Sequence, residues 1–554
     1  MPCVSTFRTT LTRVGPGALS GLLAACTALA VAVLTAALVR PAAAPVTVVG
    51  GAVVDRTPAA VKDFAIRTFG EDDKVALRLG ILVLLGLFAV ALGVLARWYP
   101  GAATAGVLLF GLVGAAAALS RPDSAGPEDV LPSAAGAGAG ALALHVLAGR
   151  ARLLGSPGPR GGGRSRREFL TAAAATAAAA ATAGAMGQVL TGQRGRGAAA
   201  SRAALALPAP ASPAPVLASG VQLDVPGISA FTTPVRDFYR VDTALSVPRL
   251  DAAAWRLRLH GKGVARPRTY TLDELLARPL IERDITLTCV SNEVGGPYLG
   301  TARWLGVPLA ALLREAGVRA PSQGGRADQL VARSVDGMTL GSPVEDVMDG
   351  RAAMLAVGMN GEPLPFRHGF PVRMLVPGLY GYVSACKWIT DIELTTFDAY
   401  DPYWVKRAWA RRAPVKTQSR IDTPKPFARP AAGPVTVAGV AWAQGRGISR
   451  VEVRIDDGPW QDATLAAAAG VDTWRQWSYR WQAAAGGHTI TVRATDGTGQ
   501  VQAEQRARTI PDGASGWHSV FVTVPETPAR PASGPVRQHH PFAPSTEQKL
   551  KGSN

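Results

Sequence analysis

Cysteine is scarce: 4 in 554 residues, too few for a disulfide-held scaffold. Charged residues make up 18% and aromatics 6%, and both are unevenly placed. Of 12 tryptophans, only Trp98 precedes residue 250. Residues 1–200 are mostly Ala, Gly, Leu and Val. That imbalance excludes a single soluble globule, and the length fits several domains. No Cys-x-x-Cys-His segment occurs, which leaves no c-type haem attachment. His145 is the only histidine before residue 200, so paired-histidine haem ligation there is not expected. Net charge is +18, yet the arginines cluster beside apolar runs. Membrane topology explains them better than nucleic-acid binding does.

What is present begins with long apolar runs. Residues 17–39 carry no charge and are long enough to cross a bilayer, which takes about 20 residues. Further spans are expected at 79–96, 101–120, 131–149 and, nearly all alanine, 169–190. The 150–168 loop holds Arg150, Arg152, Arg160, Arg164, Arg166 and Arg167 against Glu168. Positive loops stay inside, so this loop reads as cytoplasmic and everything after about residue 190 as outside. Ser165-Arg166-Arg167-Glu168-Phe169-Leu170 has the form of a twin-arginine export signal. The Gly, Ala, Ser and Pro of 191–220 read as a flexible tether.

The organisation expected is therefore 1–168, a membrane domain of four helices with a basic cytoplasmic loop. Residues 169–220 give the fifth span and tether, 221–425 a mostly-strand α+β domain, and 426–525 an immunoglobulin-like β-sandwich. Residues 526–554 form a disordered tail. In 221–425, strands are expected at 255–259, 285–290, 329–332, 371–376 and 388–394. Helices are expected at 271–278, capped by Thr271, and at 307–316. The sandwich strands are expected at 434–440, 449–455, 474–481, 488–494 and 500–508.

Two segments concentrate chemistry. Cys289 ends a β-branched run and precedes a Gly-Gly-Pro turn, where loops present functional side chains. By itself, a lone cysteine ending an apolar run is more often a small buried hydrophobe. The segment 366–381 packs His368, Arg367, Arg373 and several glycines around one short strand, and Ser384 and Lys387 follow. Cations beside closely approachable backbone suit an anionic, phosphate-bearing ligand.

Thr288-Cys289-Val290-Ser291-Asn292, His368-Gly-Phe-Pro-Val-Arg373 and Lys387-Trp388, in this order, resemble the sulfite oxidase family of molybdopterin enzymes. The run from Phe231 to Thr243 resembles the entry motif of its bacterial branch, and Pro414–Asp422 its junction to a C-terminal dimerisation-type domain. The resemblance covers about 221–525. It implies a molybdenum-molybdopterin cofactor with Cys289 as the protein's metal ligand. It implies cofactor binding by His368, Arg373 and Lys387, with Ser384 a further donor to the phosphate. Tyr239 and Arg240 match a loop packed on the pterin and are candidate catalytic residues with Cys289. Arg236, Asn292 and Asp336 are further cofactor-pocket candidates.

One departure concerns the substrate. Sulfite-oxidising members carry arginine just after the cysteine loop, where Glu293 and Val294 stand here. Glu293 repels an oxyanion unless Arg240 or Arg303 compensates. Sulfite is thus the family default, and a sulfoxide or N-oxide is equally open. The expectation is an outward-facing, membrane-anchored oxidoreductase that passes electrons to a separate carrier and forms a possible homodimer through the sandwich. The rivals are a cofactor-less binding module on the same fold and a transporter with an exported domain. Spans almost free of ionisable residues argue against the transporter.

Overall fold

The computed structural model describes residues 3–57, 61, 68, 73–121, 123–124, 126–154 and 162–526. The tail expected over 526–554 lies, from 527 on, outside the described residues.

Among the described residues, six long helices open the chain: α1 (Cys3–Leu38), α2 (Pro45–Arg56), α3 (Asp73–Leu95), α4 (Pro100–Ser120), α5 (Leu131–Leu153) and α6 (Gly162–Ala204). Five of them, α2 excepted, contain stretches long and apolar enough to cross a membrane. Small residues let their backbones meet. A side chain at Gly21 would collide with the Ala89 carbonyl, and one at Gly93 with the Gly17 carbonyl. On α3, Leu79, Val83, Leu87 and Phe88 point away from the protein. A further helix, α2, lies between the first two expected spans and begins at Pro45, a good first helical residue. One expectation needs correction. The tether is not free along its length. The alanine-rich fifth span continues as one helix to Ala204, since alanine favours the helix wherever nothing breaks it. Beyond it, Ser212 pairs with Ile281.

The middle of the chain folds as two five-stranded sheets, with strand orders β2-β1-β10-β5-β6 and β3-β4-β7-β8, β9 pairing with β7. In the first, β1 (Arg256–Gly261) alternates buried Leu257 and Leu259 with exposed Arg256 and Arg258, the signature of a half-buried strand. It runs parallel to β10 (Ile389–Thr395). The others are β2 (Arg268–Thr271), β5 (Gln329–Ser334) and β6 (Thr339–Pro343). The second sheet has β3 (Ile281–Thr288), β4 (Leu299–Pro308), β7 (Met354–Met359), β8 (Glu362–Pro363) and β9 (Arg373–Leu375). Every residue of β7 is buried, which places the core there. Fully burying such a side chain stabilises the fold by about 1.5–3 kcal/mol. The helix α7 (Leu272–Leu276) is capped by Thr271, as expected, and Glu274 completes a reciprocal box with it.

Residues 418–524 form the β-sandwich. Its strands are β11 (Gln418–Thr423), β12 (Gly433–Trp442), β13 (Ile448–Ile455), β14 (Gln461–Asp462), β15 (Thr464–Leu465), β16 (Arg475–Ala483), β17 (Gly486–Asp496) and β18 (His518–Val524). One sheet has the order β11-β12-β16-β15 and the other β14-β13-β17-β18. Trp477 is fully buried in their shared core. The strand expected at 500–508 does not form. Val501 and Ala507 make only isolated bridges, and the Gln502 side chain bonds Ser419 and the Gly516 carbonyl, holding the segment as a loop. The last strand is β18 (His518–Val524) instead, with Val520, Val522 and Val524 facing in.

The sandwich is tied to β3. The Thr286 amide donates to the Asp472 carbonyl at 2.9 Å, and the Trp474 amide donates to the Thr286 hydroxyl at 2.8 Å. The strand that ends at Cys289 is thus braced from outside its own sheet.

Candidate functional site

Cys289 follows the last residue of β3. Its amide donates to the Tyr298 carbonyl at 2.9 Å, and its carbonyl accepts from the Asn292 amide at 3.0 Å. Asn292 is buried and accepts the Tyr298 amide at 2.8 Å. Its role here is to close the loop 289–298. Glu293 stands exposed on that loop. Burial raises the Cys289 thiol, while hydrogen bonds from Ser291 and the charge of Lys387 act the other way.

Tyr239 stacks on Phe238, ring centroids 5.3 Å apart. Burial and the neighbouring Cys289 push its phenol far above the ordinary range, so the hydroxyl keeps its proton.

His368 is fully buried in a short turn after Pro365. Its Nε2 lies 3.3 Å from the Val235 carbonyl, an acceptor, so Nε2 carries the proton. Nδ1 has no partner and is left as a lone-pair acceptor. Burial and the charges of Arg373 and Lys387 lower the ring to about 3. His368 therefore offers an acceptor, and it does not add to the cations expected of this segment.

Arg373 lies in β9, buried, with its guanidinium 5.0 Å from the Trp304 ring centroid. It donates to the His368 carbonyl at 3.1 Å, makes no ion pair among the described residues, and its Nε is unsatisfied. Burial lowers it to about 10, so it stays charged at neutral pH. A buried cation without a carboxylate is costly unless an anion joins it. Gly369, at φ +114°, brings the preceding turn against Lys387 and Arg373; a Cβ there would sit 3.2 Å from the Lys387 Cα.

Lys387 is ion-paired with Asp242 at 2.9 Å. Burial lowers it to about 8, with Asp242 opposing. Arg240 holds the same carboxylate through two bonds, 2.8 and 3.1 Å. Asp336 is half-buried, its carboxyl raised by that burial, and accepts from the Thr243 hydroxyl at 3.1 Å. Ser384 donates to the carbonyls of Leu379 and Tyr380, so it braces its own turn. Arg236 is displayed on the surface beside Asp237, its side chain 86% exposed. Arg303 pairs with Asp284 on β3.

The structure thus gathers Cys289, Tyr239, His368, Arg373 and Lys387, with Arg240 joined through Asp242, and leaves Arg236 outside. The sequence reading missed Asp242, which links two of the cations, and Ser291, which bonds the thiol. Asp242 lies two residues from Arg240 in the matched entry motif, and that spacing was the available signal.

These residues fit a molybdenum-molybdopterin group. One sulfur is available as a soft metal ligand. The buried Arg373 and the orphaned His368 Nδ1 would be satisfied by an anionic, hydrogen-bonding organic group. The fold and site define a molybdopterin-binding oxidoreductase domain joined to an immunoglobulin-like domain. In agreement, residues 244–404 match the family model "Oxidoreductase molybdopterin binding domain", and 418–492 match "Bacterial Ig domain".

The chain belongs to the sulfite oxidase family. It is 31% identical over 323 residues to sulfite oxidase of Gallus gallus, covering 50% of this chain and 69% of that one. It is 30% identical over 328 residues to mitochondrial sulfite oxidase of Mus musculus, covering 50% of this chain and 59% of the relative. The match thus spans about three fifths of the mouse protein's length. Among solved structures it is similar to the sulfane dehydrogenase SoxCD of Paracoccus pantotrophus, with 24% identity, TM-score 0.47, and coverage of 53% of this chain and 82% of that one.

Proposed function

We propose that this protein is a membrane-anchored molybdenum-cofactor oxidoreductase, with its catalytic domain on the outer face of the membrane. It moves an oxygen atom to or from a small substrate and passes electrons to a separate carrier. The observation that carries this reading is the buried, carboxylate-free Arg373 beside the orphaned His368 Nδ1, with Tyr239 interacting with both Arg373 and the Cys289 thiol. When bound, the molybdenum centre supplies two-electron oxygen-atom transfer.

The chain's own residues hold and shape the site. Cys289 is the metal ligand. Arg373 and Lys387 supply positive charge for the anionic end of the cofactor, and His368 Nδ1 accepts a hydrogen bond from it. Arg240 steadies Lys387 through Asp242. The Tyr239 hydroxyl, held protonated, donates a hydrogen bond to a substrate oxygen. Buried Phe238 and Trp304 keep water from the rear of the site.

The substrate is an oxyanion such as sulfite or a neutral S- or N-oxide. Glu293, exposed on the cysteine loop where sulfite-oxidising members carry arginine, favours the neutral class because that cation is missing here. Arg303 does not compensate, being committed to Asp284. Apolar side chains turned outward on α3 support membrane anchoring. Arg166 and Arg167, exposed near the start of α6, support a twin-arginine export signal. The sandwich serves for docking or homodimerisation, which the 79% exposed Phe427 beside Phe521 supports.

The test is turnover by purified, molybdenum-loaded full-length protein. Sulfite oxidation is followed with an artificial electron acceptor, and sulfoxide and N-oxide reduction with an artificial donor. Turnover of one couple that Cys289→Ala abolishes supports the reading. Failure with every couple by a fully loaded protein opposes it.

A further inference from the structure

A cavity of about 1000 Å3 lies between the membrane helices and the outer face of the β2-β1-β10-β5-β6 sheet, away from Cys289. Its membrane side is formed by the ends of α2 and α4, including Asp55, Arg56, Ser120 and Arg121. Since α4 is one of the candidate spans, Ser120 marks the level where lipid headgroups lie. Strand alternation supplies the other wall. Leu257 and Leu259 point into the core, so Arg258 and His260 point out into the cavity.

Six cations line this space: Arg56, Arg121, Arg258, Arg333, Lys406 and Arg407. Against them stand four carboxylates, and each is already engaged. Arg333 pairs with both Asp391 and Glu393. Asp55 accepts from Tyr403 and Arg407. Asp123 accepts from Arg40 and Arg121. His260, Asp391 and Glu393 are close enough together to suit a metal ion, but Arg333 already neutralises both carboxylates.

Among the described residues, Arg258 and Lys406 have no ion pair, and Lys406 instead lies 5.1 Å from the Tyr400 ring centroid. Among the described residues, Arg56 bonds only the carbonyl of Ala52, one turn back. Three cations without carboxylate partners among the described residues thus line a cavity at the membrane boundary. Cations grouped beside spanning helices are the chemistry that holds lipid phosphates.

We propose that this cavity binds the phosphate group of an anionic phospholipid, with Arg258, Lys406 and Arg56 as its ligands. The bound lipid pins the catalytic domain to the membrane helices. The proposal rests on the membrane-anchored reading above.

Native mass spectrometry of the full-length, molybdenum-loaded protein in detergent tests it, with phosphatidylglycerol and phosphatidylcholine offered separately and inorganic phosphate as competitor. The wild type is expected to retain one phosphatidylglycerol per chain in preference to phosphatidylcholine. R258Q/K406Q should lose that preference by at least tenfold, and the charge-conserving R258K/K406R should keep it. Molybdenum content and turnover in detergent should be equal in all three, which separates this proposal from the assignment of the catalytic site. A wild-type chain recovered in the soluble fraction would overturn both the membrane reading and this proposal. Equal retention of the two lipids, or equal retention by wild type and R258Q/K406Q, overturns the proposal alone. Phosphate bound in place of any lipid overturns the lipid assignment.

Discussion

Gln444 of the sandwich donates its side-chain amide to the Thr288 hydroxyl at 2.9 Å, one residue before Cys289. The same amide reaches the Thr286 carbonyl at 3.1 Å. The sandwich therefore holds the strand that delivers the thiol proposed as metal ligand. Further along the same loop, Arg420 donates to the Gly296 carbonyl at 2.8 Å, and His518 fills the space where a Cβ of Gly295 would be.

Gln444→Ala should destabilise the protein by about 1–3 kcal/mol, the cost of leaving buried bonds unmade. It should also lower turnover, because the end of β3 loses a brace. Denaturant unfolding and steady-state kinetics check both. Unchanged stability would mean that Thr286 and Thr288 find other partners.

Arg373→Met should behave in the opposite way. Arg373 is buried without a carboxylate, so removing its charge should leave the cofactor-free protein as stable as before, or more stable. Cofactor retention should fall by at least about tenfold, since a lost charged hydrogen bond is worth about 1.5–3 kcal/mol. Thermal unfolding of the cofactor-free form and pterin content of the purified form are the two measurements.

Asp242→Asn should make cofactor retention pH-dependent. Lys387 is pushed down to about 8 by burial, and Asp242 opposes that push. Without the carboxylate the lysine loses its proton at a lower pH still. Pterin retention by the variant should therefore drop between pH 6 and pH 8 while wild type changes less. Parallel pH profiles would show that Asp242 does not sustain the charge on Lys387.

Acid should weaken the sandwich in two stages. Burial, with Arg420 and Arg506 nearby, lowers His518 to about 4. Between pH 6.5 and 4 the unfolded chain takes up a proton that the folded chain refuses, so stability falls as pH drops through that window. The slope is at most about 1.4 kcal/mol per pH unit. Asp496 acts lower. Burial pushes its carboxyl up, but bonds from Arg446, Thr498 and Thr417 outweigh burial and hold it below the usual range. Its contribution, present above the ordinary carboxyl value, is lost as pH falls further. His518→Gln should flatten only the upper stage in urea titrations at pH 7 and 5.

Local pattern made part of this molecule legible in advance. Thr271 and Glu274 carry the spacing of a capping box, and the box forms. The alternation in β1 names its buried leucines before any fold is known. The apolar runs foretell the long helices, whose lengths follow from composition. In contrast, β7 is buried on both faces and does not alternate, so nothing in its period separates it from a helix segment. At 500–508 alternation misleads, because Gln502 turns inward for side-chain bonds and makes no strand ladder. At the site, the cations and the cysteine were legible as residue types in order. The pairing of Asp242 with Lys387 and of Gln444 with Thr288 was not, because only the fold brings those partners near. The neutral state of His368 was equally hidden, since it depends on burial and on the Val235 carbonyl.

The most direct measurement is molybdenum and pterin analysis of the purified full-length protein, expressed where the cofactor is made, beside Cys289→Ala. About one molybdenum and one pterin per chain are expected in the wild type, with the metal lost or turnover abolished in the variant. A folded wild-type protein holding neither molybdenum nor pterin would contradict the assignment of this site.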